Sequence, residues 1–257
     1  MKLFYRELGA GSPLIILHGL FGMSDNWFTM AKRLAENFHV FLPDLRNHGH
    51  SPQSPDFNYK QISGDVQEFI RDHQLNHCRI IGHSMGGKAA MTLALAQPQL
   101  ISGLVVIDMA PRAYQNPFFN ELIKILQALD IAALKSRPQA DDMLASAIED
   151  AAARQFLLKN LARRQEGGYY WKFNLPSIAA NIREIMGGIE SPTQFTNPAL
   201  FIAGGRSDYV APHDLPRIRE LFPAARLVTI SKASHWVHAD APDALFDELY
   251  KFLVNDK

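Results

Sequence analysis

Cysteine is nearly missing from this chain. Cys78 stands alone among 257 residues, so no intramolecular disulfide can form and no thiolate-rich zinc site can be assembled. An excess of charge is missing too, since 26 basic residues balance 26 acidic ones. A nucleic-acid binder normally shows a basic excess, and a polybasic membrane anchor needs one, so neither partner is expected. No stretch reaches the ~18 apolar residues of a membrane span. The opening Met1-Lys2-Leu3-Phe4-Tyr5-Arg6-Glu7 lacks the apolar run and cleavage site of a signal peptide, which makes a cytoplasmic protein the expectation. Internal repeats and low-complexity tracts are absent as well.

What remains is an ordinary globular composition, 47% apolar and 20% charged. One domain of this length buries roughly 75% of its unfolded surface and needs no disulfide or structural metal. Short apolar runs alternate with helical patterns over the first 110 residues, as in parallel strands joined by crossover helices. Strands are expected at Leu14 to Leu17, Val40 to Leu42, Arg79 to Ile81 and Leu104 to Ile107, apolar throughout because both sheet faces are covered. Helices fit between them at about Asp25 to Asn37, Tyr59 to Gln74 with Asn58 as N-cap, and Met85 to Gln97 stopped by Pro98.

From 111 to 191 strand-like runs vanish and apolar residues recur at helical spacing, as in Phe119, Leu122, Ile123, Leu126 and in Ile178, Ile182, Ile185. An all-helical insertion is expected there. Strands resume at Ala199 to Ala203 and Arg226 to Ile230, and a last helix runs near Asp243 to Val254. The expected organisation is therefore an α/β core of residues 1–110 and 192–257, with a mostly parallel sheet between helices, interrupted by a cap at 111–191.

The chemistry is concentrated in Arg79-Ile80-Ile81-Gly82-His83-Ser84-Met85-Gly86-Gly87, where a buried strand runs through G-x-S-x-G into a helix. A turn this tight requires glycine at Gly82 and Gly86 and lifts Ser84 clear at the helix N-terminus, the context of a nucleophile elbow. A serine hydroxyl is a weak nucleophile until a base takes its proton, and that base needs a carboxylate to hold it. His235, just after the last strand, is the expected base, with His238 as its rival. Asp208, just after the preceding strand, is the expected acid, and Asp108, directly after the strand Leu104 to Ile107, is the alternative. An oxyanion would be met by the backbone N–H groups of Met85 and of Leu20, the latter in the loop His18-Gly19-Leu20-Phe21-Gly22. Trp171, in the aromatic run Gly167 to Phe173, and Trp236 are the candidate substrate-binding side chains. His48-x-His50 and His235-x-x-His238 have no acidic partners at metal-ligand spacing, so neither a metal nor a cofactor is expected.

These motifs, with Asp44-Leu45-Arg46-Asn47-His48-Gly49-His50-Ser51 between them, resemble the α/β-hydrolase superfamily over essentially the whole chain. Within it the chain looks most like the bacterial YbfF-type esterases and their mitochondrial relatives. The resemblance implies a carboxylesterase or acyl-thioesterase with a small-molecule substrate, acyl-CoA esters among the candidates. In that subgroup the place of Asp208 is often not an aspartate and the acid is then sought at the position of Asp108; this sequence has both. The stretch His18 to Trp27 also resembles a menaquinone-pathway carbon–carbon lyase, SHCHC synthase, which needs arginines placed for a polyanionic substrate. The sequence leaves monomer and homodimer equally open.

Overall fold

In the computed structural model, residues 1–255 are described. A seven-stranded sheet has the order β1-β3-β2-β4-β5-β8-β9. Its strands are β1 Tyr5–Leu8, β2 Ser12–Leu17, β3 Phe38–Pro43, β4 Cys78–His83, β5 Ile101–Ile107, β8 Ala199–Gly204 and β9 Ala225–Ile230. All neighbours run parallel except β1, which pairs antiparallel with β3. The sequence pattern misses β1 because Tyr-Arg-Glu-Leu is an edge segment with no apolar run to mark it.

Along the central strands alternate residues serve two separate cores. Ile15, Leu17, Leu104 and Val106 join one, while Leu14, Ile16, Val105 and Ile107 join the other. Side chains on a strand point to opposite faces with a period of two, so runs apolar throughout require cover on both sides. Helices α2 Tyr59–Asp72 and α3 Met85–Ala96 cover the first face, contributing Ile62, Val66, Ala89 and Leu93. Helices α1 Phe28–Leu34 and α10 Pro242–Asn255 cover the second with Met30, Leu34, Leu245 and Leu249. Asn58 caps α2 by accepting the Gln61 N–H at 3.0 Å, as its place before the apolar pattern predicts. The expected first helix is divided, a 3-10 turn over Ser24–Trp27 preceding α1.

Between β5 and β8 lie α4 Pro117–Ala128, α5 Arg137–Ala145, α6 Ala151–Leu158 and α7 Leu175–Met186, joined by a two-stranded antiparallel hairpin, β6 Leu161–Arg163 and β7 Tyr169–Trp171. The expectation of an all-helical segment is corrected here. Gly167 and Gly168 take φ of +100° and +74°, a backbone only glycine adopts freely, and so let the chain reverse within the hairpin. The remaining short helices are α8 Leu215–Leu221 and α9 Val237–Asp240. Among the described residues no helix is long and apolar enough to cross a membrane.

Candidate active site

Strand β4 delivers Ser84 at the carboxyl edge of the sheet. Ser84 has φ +54° and ψ −120°, a region that side chains rarely occupy. A Cβ on Gly82 would run into the carbonyl of Gly86, and one on Gly86 into the carbonyl of Leu17, so the elbow closes only with glycine at both places. The helix that follows starts at Met85.

His235 reaches Ser84 from the loop after β9. Its Nε2 lies 3.0 Å from Ser84 Oγ. Its Nδ1 lies 2.7 Å from Oδ2 of Asp108, so the ring donates at Nδ1 and is left to accept the serine proton at Nε2. Asp108 is fully buried and bound on every side: Oδ1 accepts the Gly204 N–H at 2.8 Å, and Oδ2 also accepts the Ser207 hydroxyl. A buried carboxylate that accepts this many hydrogen bonds is held in one orientation.

The carboxylate on His235 is therefore Asp108, and the expectation that placed Asp208 there is corrected. Strand β5 ends at Ile107, and the φ of +48° at Asp108 turns its side chain toward the loop after β9. Asp208 lies four positions past the end of β8, where Ser207 and Tyr209 face the site and Asp208, between them, faces solvent. Among the described residues only its carbonyl is engaged, accepting from Arg112 at 2.9 Å. His238 does not compete for Ser84; it stacks on Trp27 with ring centroids 4.5 Å apart. Burial holds His238 down to about 4, with His235 next in effect, so its ring is neutral at ordinary pH.

The loop after β2 lies against the elbow. A Cβ on Gly19 would come within 3.2 Å of Ser84 Cβ. Among the described residues neither the Leu20 nor the Met85 backbone N–H donates a hydrogen bond, which leaves both free for a ligand. Two buried histidines hold this loop, a role that sequence reasoning assigned to neither. His18 donates from Nδ1 to the Gly19 carbonyl at 2.8 Å and accepts the Leu45 N–H at Nε2 at 2.9 Å. His48 donates from Nδ1 to the Arg46 carbonyl at 2.9 Å and accepts the Phe21 N–H at Nε2 at 3.1 Å. A ring nitrogen that accepts from an N–H carries no proton, so both rings must be neutral. Burial supplies that condition, lowering His18 to about 4 and, with a further contribution from His18, His48 to about 3. The Asp44 to Ser51 segment otherwise binds the fold together, as its polar residues suggest. Arg46 forks onto Asp65 at 2.5 and 2.8 Å, and Asn47 reaches Ser177 at 3.1 Å.

A cavity of about 410 Å³ opens over Ser84, lined by apolar and aromatic side chains that include Phe119, Leu122, Ile148, Phe156 and Trp236. Of the two tryptophans named as candidate substrate contacts, Trp236 lines it and Trp171 does not. Trp171 is buried in the core, stacked on Phe173 at 5.0 Å and 12°. Among the described residues no cluster of His, Cys, Asp or Glu could hold a metal ion.

This arrangement coincides with what the chain is similar to. The family model for the alpha/beta hydrolase fold matches residues 12–242. The chain belongs to the α/β-hydrolase family. A solved structure titled marine microorganism esterase superposes with a TM-score of 0.96 at 42% identity, covering 98% of this chain and 99% of that one. Esterase YbfF of Escherichia coli is 35% identical over 94% of this chain and 93% of its own length. The zebrafish sn-1-specific diacylglycerol lipase ABHD11 is 39% identical over 95% of this chain and 79% of its own. This α/β-hydrolase is accordingly an enzyme of the esterase and lipase kind, YbfF-like in sequence.

Proposed function

We propose that this α/β-hydrolase cleaves uncharged carboxylic esters with an apolar acyl group, through a covalent acyl-enzyme on Ser84. The observation that carries the reading is the hydrogen-bonded line from Asp108 through His235 to Ser84, opening directly into an apolar cavity. Ser84 Oγ attacks the acyl carbonyl while His235 takes its proton at Nε2. The oxyanion settles on the N–H groups of Leu20 and Met85, which no other acceptor among the described residues engages. His235 then returns the proton to the departing alcohol, and a water activated by the same nitrogen releases the acid. Asp108 keeps the ring in the tautomer that accepts at Nε2. No step requires a cofactor.

Residues 111–191 act in this reading as a cap over the site, since Phe119, Leu122, Ile148 and Phe156 come from them. A thioester such as an acyl-CoA fits less well. Lys159, Arg163, Arg164 and Lys172, the cations that would meet its phosphates, all stand outside the cavity wall. The same lack of basic side chains on that wall disfavours a carbon–carbon lyase acting on a polyanion. The test is labelling by a fluorophosphonate probe in the wild type and in Ser84→Ala, followed by a panel of alkyl esters and acyl-CoA thioesters matched in acyl length. Labelling confined to the wild type, with alkyl esters turned over faster than the matched thioesters, is the expected result. Turnover retained in purified Ser84→Ala would sink the serine mechanism.

A further inference from the structure

The hydrogen bond to Asp108 fixes one atom of the His235 ring and leaves the ring plane free to swing about that bond. A second contact removes this freedom. The Tyr209 ring stacks on the imidazole with centroids 4.0 Å apart and planes 22° from parallel. His83 also lies near it, at 4.8 Å and 39°, and the His83 Nε2–H donates to the His235 carbonyl at 2.9 Å.

Tyr209 is itself held firmly enough to serve as a support. Its carbonyl accepts the Tyr114 hydroxyl at 2.6 Å, and its N–H donates to Ser207 Oγ at 3.3 Å. The carbonyl just before it accepts from Arg112, whose Nε lies 2.9 Å from an oxygen of buried Asp214. The Tyr114 ring packs beside the Tyr209 ring with centroids 5.1 Å apart. Burial raises the Tyr209 phenol, so the ring stays un-ionised and offers its electron-rich face.

We infer that Tyr209 is a positioning residue for His235, holding the imidazole plane in line with Ser84 and stabilising the imidazolium that forms as the serine proton is taken. The inference rests on the serine-esterase reading above. An aromatic face against a developing cation in a partly dry site is worth a rate factor of roughly three to thirty. The stack also permits the small in-plane movement by which one nitrogen serves first Ser84 and then the leaving oxygen, because sliding along a ring face leaves the contact in place.

Tyr209 also lines the cavity, so the test must separate support of the base from contact with the acyl chain. Tyr209→Leu removes the aromatic face and keeps bulk; Tyr209→Phe keeps the face and drops the hydroxyl. Two readings are taken on each: the rate constant for fluorophosphonate labelling, and kcat and KM on an acetate and a hexanoate of the same alcohol. Tyr209→Leu is expected to slow labelling and kcat on both esters by one common factor of roughly three to thirty, with KM within about twofold. Tyr209→Phe is expected to restore most of that loss. Should Tyr209→Leu fail to fold, Tyr209→Met makes the same comparison. Unchanged labelling in the aliphatic variant would overturn the inference. So would a loss confined to KM and differing between the two esters, or a Phe variant as slow as the Leu one. If the wild type itself is not labelled beyond Ser84→Ala, the serine-esterase reading fails and this inference falls with it.

Discussion

Ser84 and Asp108 stand at the carboxyl ends of adjacent parallel strands, and both have a left-handed backbone, with φ of +54° and +48°. The Ser84 N–H donates to the carbonyl of Ile107 at 3.1 Å, so Ser84 is tied to the residue just before Asp108. The Asp108 N–H in turn donates to the Ile202 carbonyl on β8 at 2.7 Å. Two strained residues thus share one run of backbone bonds across three strands, and the ordered sheet holds them in conformations that they would leave if isolated.

That strain can be measured at Ser84. Alanine keeps the unfavourable φ and removes the hydroxyl, whereas glycine removes both the hydroxyl and the strain. Neither variant should turn over ester. Ser84→Ala should melt close to the wild type, and Ser84→Gly should melt about 2–4 °C above Ser84→Ala, the residue of roughly 1 kcal/mol left once the extra unfolded-state freedom of glycine is subtracted. Differential scanning calorimetry on the three proteins decides it; a glycine variant that melts below the alanine one would show that the elbow stores no strain.

How the site was legible follows from the same elements. The inner strands could be read because burial on both faces demands apolar runs, the edge strand β9 from the Leu227, Val228 and Ile230 it carries between polar residues, and Ser84 because G-x-S-x-G sat between a strand and a helix. The acid could not be read the same way. Asp108 and Asp208 both follow a strand at the active edge, and what separates them is a positive φ at one and an outward turn at the other, neither of which a residue name reveals. His18 and His48 were visible only as motif letters, since their work depends on which ring nitrogen accepts a backbone N–H. Trp171 belongs to an aromatic run whose letters favour core packing of the cap over an acyl channel without excluding either.

Trp171 now separates from the channel residues. Trimming Trp171 to alanine should cost about 3–5 kcal/mol, as expected when a buried tryptophan is removed from a stacked pair, and should leave the acyl-length preference of the surviving enzyme unchanged. Phe156 lies on the cavity wall, packed against Trp236 with centroids 4.3 Å apart. Phe156→Ala should move the preference toward longer acyl chains while costing less stability. Urea melts and an ester chain-length series on both variants check this; a profile that shifts with Trp171 and not with Phe156 would reverse the two roles.

Lys88, one turn beyond Ser84 on α3, gives the fold a pH dependence of its own. It is fully buried, donates to the Gly187 carbonyl and lies over the Tyr114 ring at 4.7 Å. Burial, and after it the charge of Arg112, pulls its ammonium down to about 7. The folded protein therefore holds this proton less tightly than the unfolded chain. Below pH 7 both states carry it and the penalty on folding is complete; between about pH 7 and 10.4 the unfolded chain keeps a proton that the native state has lost, so stability rises with pH. Relative to Lys88→Met, the wild type should gain about 1–4 kcal/mol from pH 7 to pH 10. Denaturant melts of both proteins across that range test it, and parallel curves would mean that Lys88 keeps its proton throughout.

The two carboxylates make the sharpest comparison, because sequence and geometry favour different ones. Asp108 is buried beside His235 and accepts from Gly204 and Ser207 as well, while Asp208 is exposed and, among the described residues, engaged through its carbonyl alone. Exchanging an acid for its amide keeps the shape and changes the chemistry. At Asp108 the amide nitrogen can face Nδ1 only if the imidazole moves its proton to Nε2, the atom that must accept from Ser84. That change costs about 10⁴ in kcat in the serine-protease template, and the Gly204 N–H, which donates to Oδ1, favours the amide oxygen there and so turns the amide nitrogen toward His235, while the Ser207 hydroxyl on Oδ2 can rotate to accept from it. Asp108→Asn should therefore lose roughly 10² to 10⁴ in kcat with KM little altered, whereas Asp208→Asn should lose less than about threefold. The double variant should match Asp108→Asn alone, since an uninvolved carboxylate has nothing left to rescue. Steady-state kinetics on the three proteins settle the assignment: a larger loss at Asp208, or a double variant far below Asp108→Asn, would mean that the loop after β8 rearranges to bring Asp208 to the base during turnover.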